Sequence, residues 1–450
     1  MGCRRPFLLN FSIDWSRRTM LMKNDTDAVI VDRLQKSAFG YFLAFVNPEN
    51  GLIADTSLPG APSSIAATGF GLSAYPVGVE RGWISRQDAA ARTLTTLRFF
   101  AESPQGRDKD VTGYKGLYYH FLDMKTGLRT WRCELSLIDS ALLIAGMLTA
   151  AAYFTEDNDT EAEIRSYAAM LYARANWAWA LDGKGALWLG WKPRTGFLPY
   201  RWESYSEAII LYVLALSSPS YPIGKESYDA FTSKFDWMTV KGEPFLYAGP
   251  LFVHLFSHAW IDFRGIRDEA VAAHDTDYFE NTRRAIAVQR DHAIKNPGGF
   301  TGYGAGIWGL TSCDGPQRPR RLQDGRRQAF AGYAARGAPL GPDDGTIAPW
   351  APLACLPFEP DLAMAATRQM LSSYPGVIDD ERFVGSFNPS VPGKTAEGWL
   401  NNRSVGLDQG LLVMMIENHR SGMIWDLWRE STVIRRGLRR AGFSGGWLQA

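Results

Sequence analysis

The chain has 450 residues, more than the roughly 100 to 200 of a usual single core, so it folds either as two or three domains or as one large toroid or barrel. Hydrophobic residues make up 46% and charged residues 21%, and 48 Lys+Arg against 47 Asp+Glu leave a net charge of +1. That balance excludes long disorder and argues against nucleic acid as a partner, while 16 Trp, 18 Tyr and 24 Phe supply the flat faces that sugars stack against.

Residues 1–24 are expected to be a disordered extension, and residues 25–450 a single domain. The patch Phe7 to Phe11 is too short for a signal-peptide core, which favours a cytoplasmic over a periplasmic location. Pro6 stands where a myristoylation motif wants Ser or Thr. The four cysteines, Cys3, Cys133, Cys313 and Cys355, form no CxxC pair, so neither a disulfide framework nor a cysteine zinc site is signalled. No run of 18 apolar residues exists to span a membrane.

From Asn24-Asp25 onward the signal is helical. Segments ending near Val46 and covering Arg86 to Glu102, Asp159 to Ala180, Ser227 to Trp237, Asp275 to Ile294 and Trp425 to Arg440 carry charges on one face and apolar residues on the other, as half-exposed helices do. Leu135 to Leu148 (LSLIDSALLIAGML), Ala208 to Leu216 (AIILYVLAL) and Leu411 to Ile416 (LLVMMI) are apolar nearly all round and must be covered on all sides. This alternation predicts a double-layered, all-α toroid with those three segments in the inner ring; two stacked bundles would also produce it. Long loops separate the helices, at Asn47 to Ala67, Gly183 to Tyr200, Pro297 to Asp344 and Val377 to Gly406. Trp188, Trp191 and Tyr200 in the second, and Phe300, Tyr303 and Trp308 within 297–314, mark those two as packed and ligand-ready. The exception is 317–327, where Arg318, Arg320, Arg321, Arg326 and Arg327 predict a solvated excursion.

Each apolar helix is introduced by carboxylates: Glu134 and Asp139, Glu203 and Glu207, and Asp408. One such acid is explained by the helix dipole. Three sharing the arrangement, on helices that converge in a toroid, predict acids facing a common cavity, and paired carboxylates are the equipment of glycosidic-bond hydrolysis. Glu203 and Glu207 share a face if their helix starts early enough, and Glu207, adjoining the apolar run, is expected to be the more desolvated and so the better general acid. His254 and His258 in HLFSH have metal-ligand spacing, but neither a glutamate after the first histidine nor a third ligand accompanies them. His258 is expected to bond a substrate hydroxyl or a buried acid, and Asp262 with Arg264 to form a structural ion pair. There is no phosphate-binding loop and no serine-hydrolase elbow.

Several strings together, Tyr205-Ser206-Glu207, SHAWIDFR at 257–264, GYGAGIWGLTSCDGP at 302–316, DGTIAP at 344–349, Phe387-Asn388-Pro389, LDQG at 407–410 and IENHRSG at 416–422, resemble the bacterial glucoamylase-like proteins of glycoside hydrolase family 144. The resemblance spans roughly 27–428 and covers a family whose characterised members act on β-1,2-glucan. It implies an (α/α)6 toroid and an inverting mechanism with no metal and no cofactor. It places Glu207 as acid and Asp408 as base across the cleft, with Asp139 as the alternative base and Glu134 in the same acidic cluster. Trp131, Trp202, Tyr205, His258, Tyr303, Trp308 and Asn388 are the expected substrate contacts, for a glucan or oligosaccharide. Ala305-Gly306 departs from the family pattern, which points to an altered subsite, and the arginine-rich stretch after Pro316 departs from it as well. Other readings are a transglycosylase or a hydrolase of another β-glucoside, a catalytically silent carbohydrate-binding toroid, and a cyclase cavity; the last lacks a DxDD string.

Overall fold

The computed structural model describes residues 25–181, 183, 185–379 and 381–449; the extension expected at 1–24 lies outside the described residues. Twelve helices of eight residues or more are found among them: α1 (Asp27–Ala44), α2 (Ile65–Glu80), α3 (Arg86–Glu102), α4 (Leu137–Tyr153), α5 (Asp159–Arg174), α6 (Ile209–Ser217), α7 (Lys225–Thr232), α8 (Tyr278–Lys295), α9 (Pro360–Ser373), α10 (Gly406–Arg420), α11 (Met423–Glu430) and α12 (Thr432–Arg440). They form an (α/α)6 toroid. The strands are two to four residues long and occur in small two- or three-stranded pieces within the loops.

Burial separates the two rings. In α3 the buried residues Ala89, Ala90, Thr93, Leu94, Leu97 and Phe100 follow the helical period, and Ser85 caps the first turn by accepting from the Asp88 amide. In α6 every residue is buried, as is the run from Gln409 to Asn418 in α10. The inner ring consists of α2, α4, α6 and α10, together with two positions held by short 3-10 turns: Leu251–His254 with Ser257–Ala259, and Leu353–Cys355. Outer helices α8 and α9 pack on those turns. Buried side chains tie the first of them into the ring: Trp260 Nε1 donates to Ser73 Oγ at 3.0 Å, and Asn418 Nδ2 to the Ala259 carbonyl at 3.0 Å.

The three segments predicted as inner helices lie in α4, α6 and α10. Helix α2 was hidden by its four Gly and Pro residues, which count against a helix in sequence. Two of its neighbours' glycine contacts explain the cost. A Cβ at Gly69 would stand 2.3 Å from the Leu142 carbonyl oxygen, and one at Gly146 in α4 would stand 2.0 Å from the Gly69 carbonyl oxygen. The α2–α4 crossing is therefore backbone on backbone, and no larger residue fits it.

Three outer segments are shorter or more divided than expected: the helix in Asp159 to Ala180 ends at Arg174, and that in Ser227 to Trp237 ends at Thr232. Trp425 to Arg440 is two helices, because Ser431 ends α11 and caps α12 by accepting from the Ile434 amide. On α12, Arg436 and Arg440 donate to the Ser217 and Leu216 carbonyls, each at 2.7 Å, which satisfies carbonyls left over at the end of α6. The five arginines of the excursion at 317–327 are all exposed, on an ordered segment. Arg320–Arg321 pairs with Arg327–Gln328 as a hairpin, and Leu322 at its turn is buried against Phe300 and Val391.

Candidate active site

The inner helices begin at one end of the toroid, and the predicted acids stand there. Ser136 caps α4, accepting from the Asp139 amide and donating back to Asp139 Oδ2. Asp408 sits in the first turn of α10, whose Gly406 amide donates to the Asp55 carbonyl at 2.8 Å. Glu207 precedes α6 rather than lying on it, since the helix starts only at Ile209. Glu203 and Glu207 therefore share no helical face, and Glu203 is exposed while Glu207 is half-buried. The Glu207 carbonyl accepts from Ser257 Oγ at 2.8 Å, and Ser204 shortly before it has φ +67, a left-handed turn that a non-glycine residue adopts at a cost.

His120 joins Glu134 and Asp139. Its Nδ1 is 2.9 Å from Glu134 Oε1, and its Nε2 is 3.7 Å from Asp139 Oδ2. Burial works against the imidazolium, but Asp139, Glu134 and Asp55 outweigh it and raise His120 to about 9. The ring is a cation at neutral pH. Glu134 is held below the usual carboxylate range, first by its hydrogen bond from His120, against burial. It is a charged partner, not a proton donor.

The remaining acids are pushed the other way. Burial raises Glu207 to about 7; a backbone hydrogen bond opposes this and the charge on Asp139 adds to it. Asp55 is raised to about 6, by burial first, with His120 and Arg403 lowering it and Asp139 and Asp314 raising it. Asp408 is held well above its ordinary range by burial and then by Asp55 and Asp314, with the nearby Trp350 indole opposing them. Arg403 pairs with Asp314. These mutual effects tie Asp139 and Asp408, on two inner helices, to Glu207, Asp55 and Asp314, on the segments between them, in one coupled cluster at one mouth of the ring.

His120, Asp55, Asp314 and Arg403 were not singled out from sequence. Asp314 lay inside a quoted string, TSCDGP, but nothing local distinguishes it from a turn residue. The other three come from loops whose position depends on the closed ring.

The expected sugar contacts divide. Trp131 is 66% exposed on a turn and packs against Phe121 at 5.1 Å between ring centroids. Trp202 and Tyr303 are half-buried, and the Tyr303 hydroxyl donates to Asp343 Oδ1 at 2.8 Å. The other four lie in the interior, a correction to the expectation that they meet substrate. Trp308 is 1% exposed within the core. Tyr205 is enclosed by Phe235, His254 and Tyr278. His258 Nε2 faces the Thr282 hydroxyl at 3.1 Å and the Tyr278 carbonyl at 3.3 Å, and burial lowers the ring to about 3, so it is neutral. Asn388 Nδ2 donates to the Asp344 carbonyl and to Thr346 Oγ1, both at 3.0 Å, and its Oδ1 accepts from the Ser390 amide. Their sequence contexts were apolar strings, and packing has absorbed them.

His254 Nε2 faces the Ala248 carbonyl at 3.0 Å, and no group of three or more His, Cys, Asp or Glu side chains suited to a metal occurs among the described residues. Arg264 Nε donates to buried Asp262 Oδ1 at 2.8 Å, with Arg429 also on that carboxylate, a structural arrangement. A cavity of about 990 Å³ opens at the opposite ends of the inner helices, lined by Leu148, Ala151, Arg81, Glu417 and Met423 among others. It is remote in sequence along α4 and α10 from the acids at their starts, and its buried Glu417 is spent on Arg81.

Comparison with known proteins bears on the family and the fold. A family model described as "Putative glucoamylase" matches residues 199–432, a span that includes Glu207 and Asp408. A solved structure of a "putative glucoamylase" from Bacteroides uniformis ATCC 8492 is 31% identical, with 94% of this chain and 99% of that chain covered and a TM-score of 0.82. An endo-β-1,2-glucanase from Chitinophaga pinensis, solved with sophorotriose and glucose, is 25% identical over 94% of this chain and 100% of that one, with a TM-score of 0.80. An exo β-1,2-glucooligosaccharide sophorohydrolase (non-reducing end) of Parabacteroides distasonis is 28% identical over 452 aligned residues, covering 92% of this chain. This chain spans 58% of that relative's length.

Proposed function

Because the chain belongs to the glucoamylase-like proteins of glycoside hydrolase family 144, we propose that it hydrolyses β-1,2-glucan or its oligosaccharides with inversion at the anomeric carbon. The observation that carries this reading is the Glu207 carboxyl raised to about 7 at the mouth where the inner helices begin. A general acid must still hold its proton at the working pH, and an ordinary glutamate would have lost it. The relatives named for β-1,2-glucan and its oligosaccharides supply the substrate class.

In this reading Glu207 protonates the departing glycosidic oxygen, which leaves with the bond pair as a sugar hydroxyl. A water attacks the opposite face of the anomeric carbon and gives its proton to a carboxylate. Inverting pairs stand roughly 6.5 to 9.5 Å apart so that this water fits between them. Asp408, at the start of α10, takes the base role. Burial, Asp55 and Asp314 hold its carboxyl up in the resting cleft, so its proton must pass to that shared acid cluster before it can act. Asp139, beside the His120 cation, is the alternative base. His120 keeps Glu134 and Asp139 together without mutual repulsion.

The test is incubation with β-1,2-glucan, laminarin, cello-oligosaccharides and starch, products resolved by chromatography and their first anomer read by proton NMR. Release of β-1,2-linked fragments that appear first as the α-anomer supports the reading. Cleavage of another linkage instead, or products that appear first as the β-anomer, rejects the corresponding half of it.

A further inference from the structure

The arginine-rich excursion returns to the toroid beside the acid cluster. Ser312 and Cys313 pair antiparallel with Ala335 and Ala334. Continuing that register by one residue sets Tyr333 across from Asp314. The approach is fixed by backbone bonds, with the Gly315 amide donating to the Gly332 carbonyl at 2.8 Å and the Gly332 amide to the Pro316 carbonyl at 3.1 Å.

Arg336, fully buried, locks the same turn. It donates to both carboxylate oxygens of Asp344 at 2.7 Å, to the Cys313 carbonyl at 2.6 Å and to the Gly332 carbonyl at 3.0 Å. A guanidinium that spends its donors on two strands and the residue before Tyr333 leaves that tyrosine little freedom of position. Yet the Tyr333 side chain is not used for packing, for the residue is 67% exposed. A large aromatic on a rigid mount and open to solvent is an unusual use of apolar area.

Burial is the first cause that raises the phenol; Ser312 opposes it, and charges on Asp408, Cys313 and Glu207 add to it. The group thus lies within electrostatic reach of both carboxyls assigned to the chemistry, while the ring stays exposed.

We propose that Tyr333 is a substrate-contacting residue of the cleft, its exposed ring forming the platform on which a glucosyl unit of the bound chain rests beside Glu207 and Asp408. Sugar rings present axial C–H groups to aromatic faces, and a preset platform adds contact without ordering a side chain. The inference rests on the reading of this cleft as a glucan site, and it adds a wall that the arginine-rich excursion, not the toroid, provides.

The experiment compares wild type, Tyr333→Ala, Tyr333→Leu and Tyr333→Phe for kcat, KM and melting temperature on linear gluco-oligosaccharides of β-1,2, β-1,3, β-1,4 and α-1,4 linkage. Loss of one stacking contact is expected to raise KM about tenfold for the alanine and leucine variants. Their kcat should stay within about twofold and their melting temperatures should match wild type, while phenylalanine keeps the wild-type KM. An unchanged KM in both truncated variants overturns the inference, as does a phenylalanine variant as impaired as leucine. If wild type cleaves only another linkage, the functional reading falls on its substrate and the same comparison on that substrate still decides Tyr333. If no oligosaccharide is turned over or bound, both fall.

Discussion

Helix α10 carries two acids, half-buried Asp408 and buried Glu417, treated in opposite ways. Asp408 is in its first turn, where the helix dipole favours a negative charge, yet its carboxyl is held well above the ordinary range. Glu417 is in the last turn, where the dipole disfavours one, yet its carboxyl is held below that range. The dipole, worth roughly 0.3 to 1 kcal/mol, loses at both ends. What decides is the company each acid keeps. Burial raises both. At Glu417 the paired Arg81 guanidinium, the Ser421 hydroxyl and the Gln35 amide more than offset it. At Asp408 the neighbours are Asp55 and Asp314, which add to it. One end of the ring is built to be charged and rigid; the other is built to hold protons.

The largest effect expected from this contrast is on turnover. Glu207→Gln keeps the shape and removes the proton, so kcat should fall about a hundredfold or more, the usual scale of general acid catalysis, with substrate affinity near wild type by titration calorimetry. A variant with most of its activity would end the assignment. Asp408→Asn and Asp139→Asn, assayed alongside, identify the base as whichever falls as far as Glu207→Gln.

At the opposite end the same chemistry should have the reverse consequence. Glu417→Gln strips the carboxylate from Arg81 and is expected to cost about 3 kcal/mol in chemical denaturation, the low end for breaking a buried pair, with kcat unchanged. If activity drops and stability does not, the two ends are not divided as described.

Stability against pH sharpens the point. Glu207 and Asp408 have folded pKa values above their unfolded ones, so the folded state keeps protons that the unfolded chain has released, and they subtract stability as pH rises past about 4. For Glu207 that loss grows until its folded value of about 7. Glu207→Gln and Asp408→Asn should therefore be more stable than wild type at pH 8, Glu207→Gln by up to about 3 kcal/mol, and show no such gain at pH 4. Glu417 works in the other sense: its contribution is complete above about 4 and is lost as pH falls through its lowered value. The smallest expected effect is kinetic. In wild type kcat/KM should decline above pH 7, as Glu207 gives up its proton; a profile flat to pH 9 would assign the acid elsewhere.

The rings were legible because their signal is local. Leu135 to Leu148 and Ala208 to Leu216 are apolar on every side, and only an inner position covers such a helix. Carboxylates at the starts of those segments were legible for the same reason, as charges adjoining runs that exclude water. Helix α2 was not, because its glycines serve a crossing partner about 75 residues away, Gly146 and Leu142, that no local pattern reveals. Neither were the two inner positions held by 3-10 turns, of which one read as a histidine pair and the other, Leu353–Cys355, carried no helical signal. The roles of Trp308, Tyr205, His258 and Asn388 failed on depth: an aromatic or polar residue outside a regular helix looks the same in sequence whether its segment lines a cleft or plugs the core. His120 became visible only once Glu134 and Asp139 stood on either side of it.

The bonds around Glu417 also bear on how such a ring comes to exist. Gln35 Nε2 reaches Glu417 Oε2 at 3.0 Å and Arg81 reaches it from the end of α2, so one carboxylate fastens segments separated by 382 and 336 positions. Arg420 with Asp32, and Arg368 with Asp27, repeat the span. Contacts so distant in sequence pay their loop-closure entropy late, which slows folding. During synthesis the portion bearing Glu207 must wait, its apolar helices partly uncovered, until α10 emerges and docks beside α1 and α2. The segment that completes the barrel is also the one that delivers Asp408, so a chain stalled short of closure is both aggregation-prone and without its assigned base.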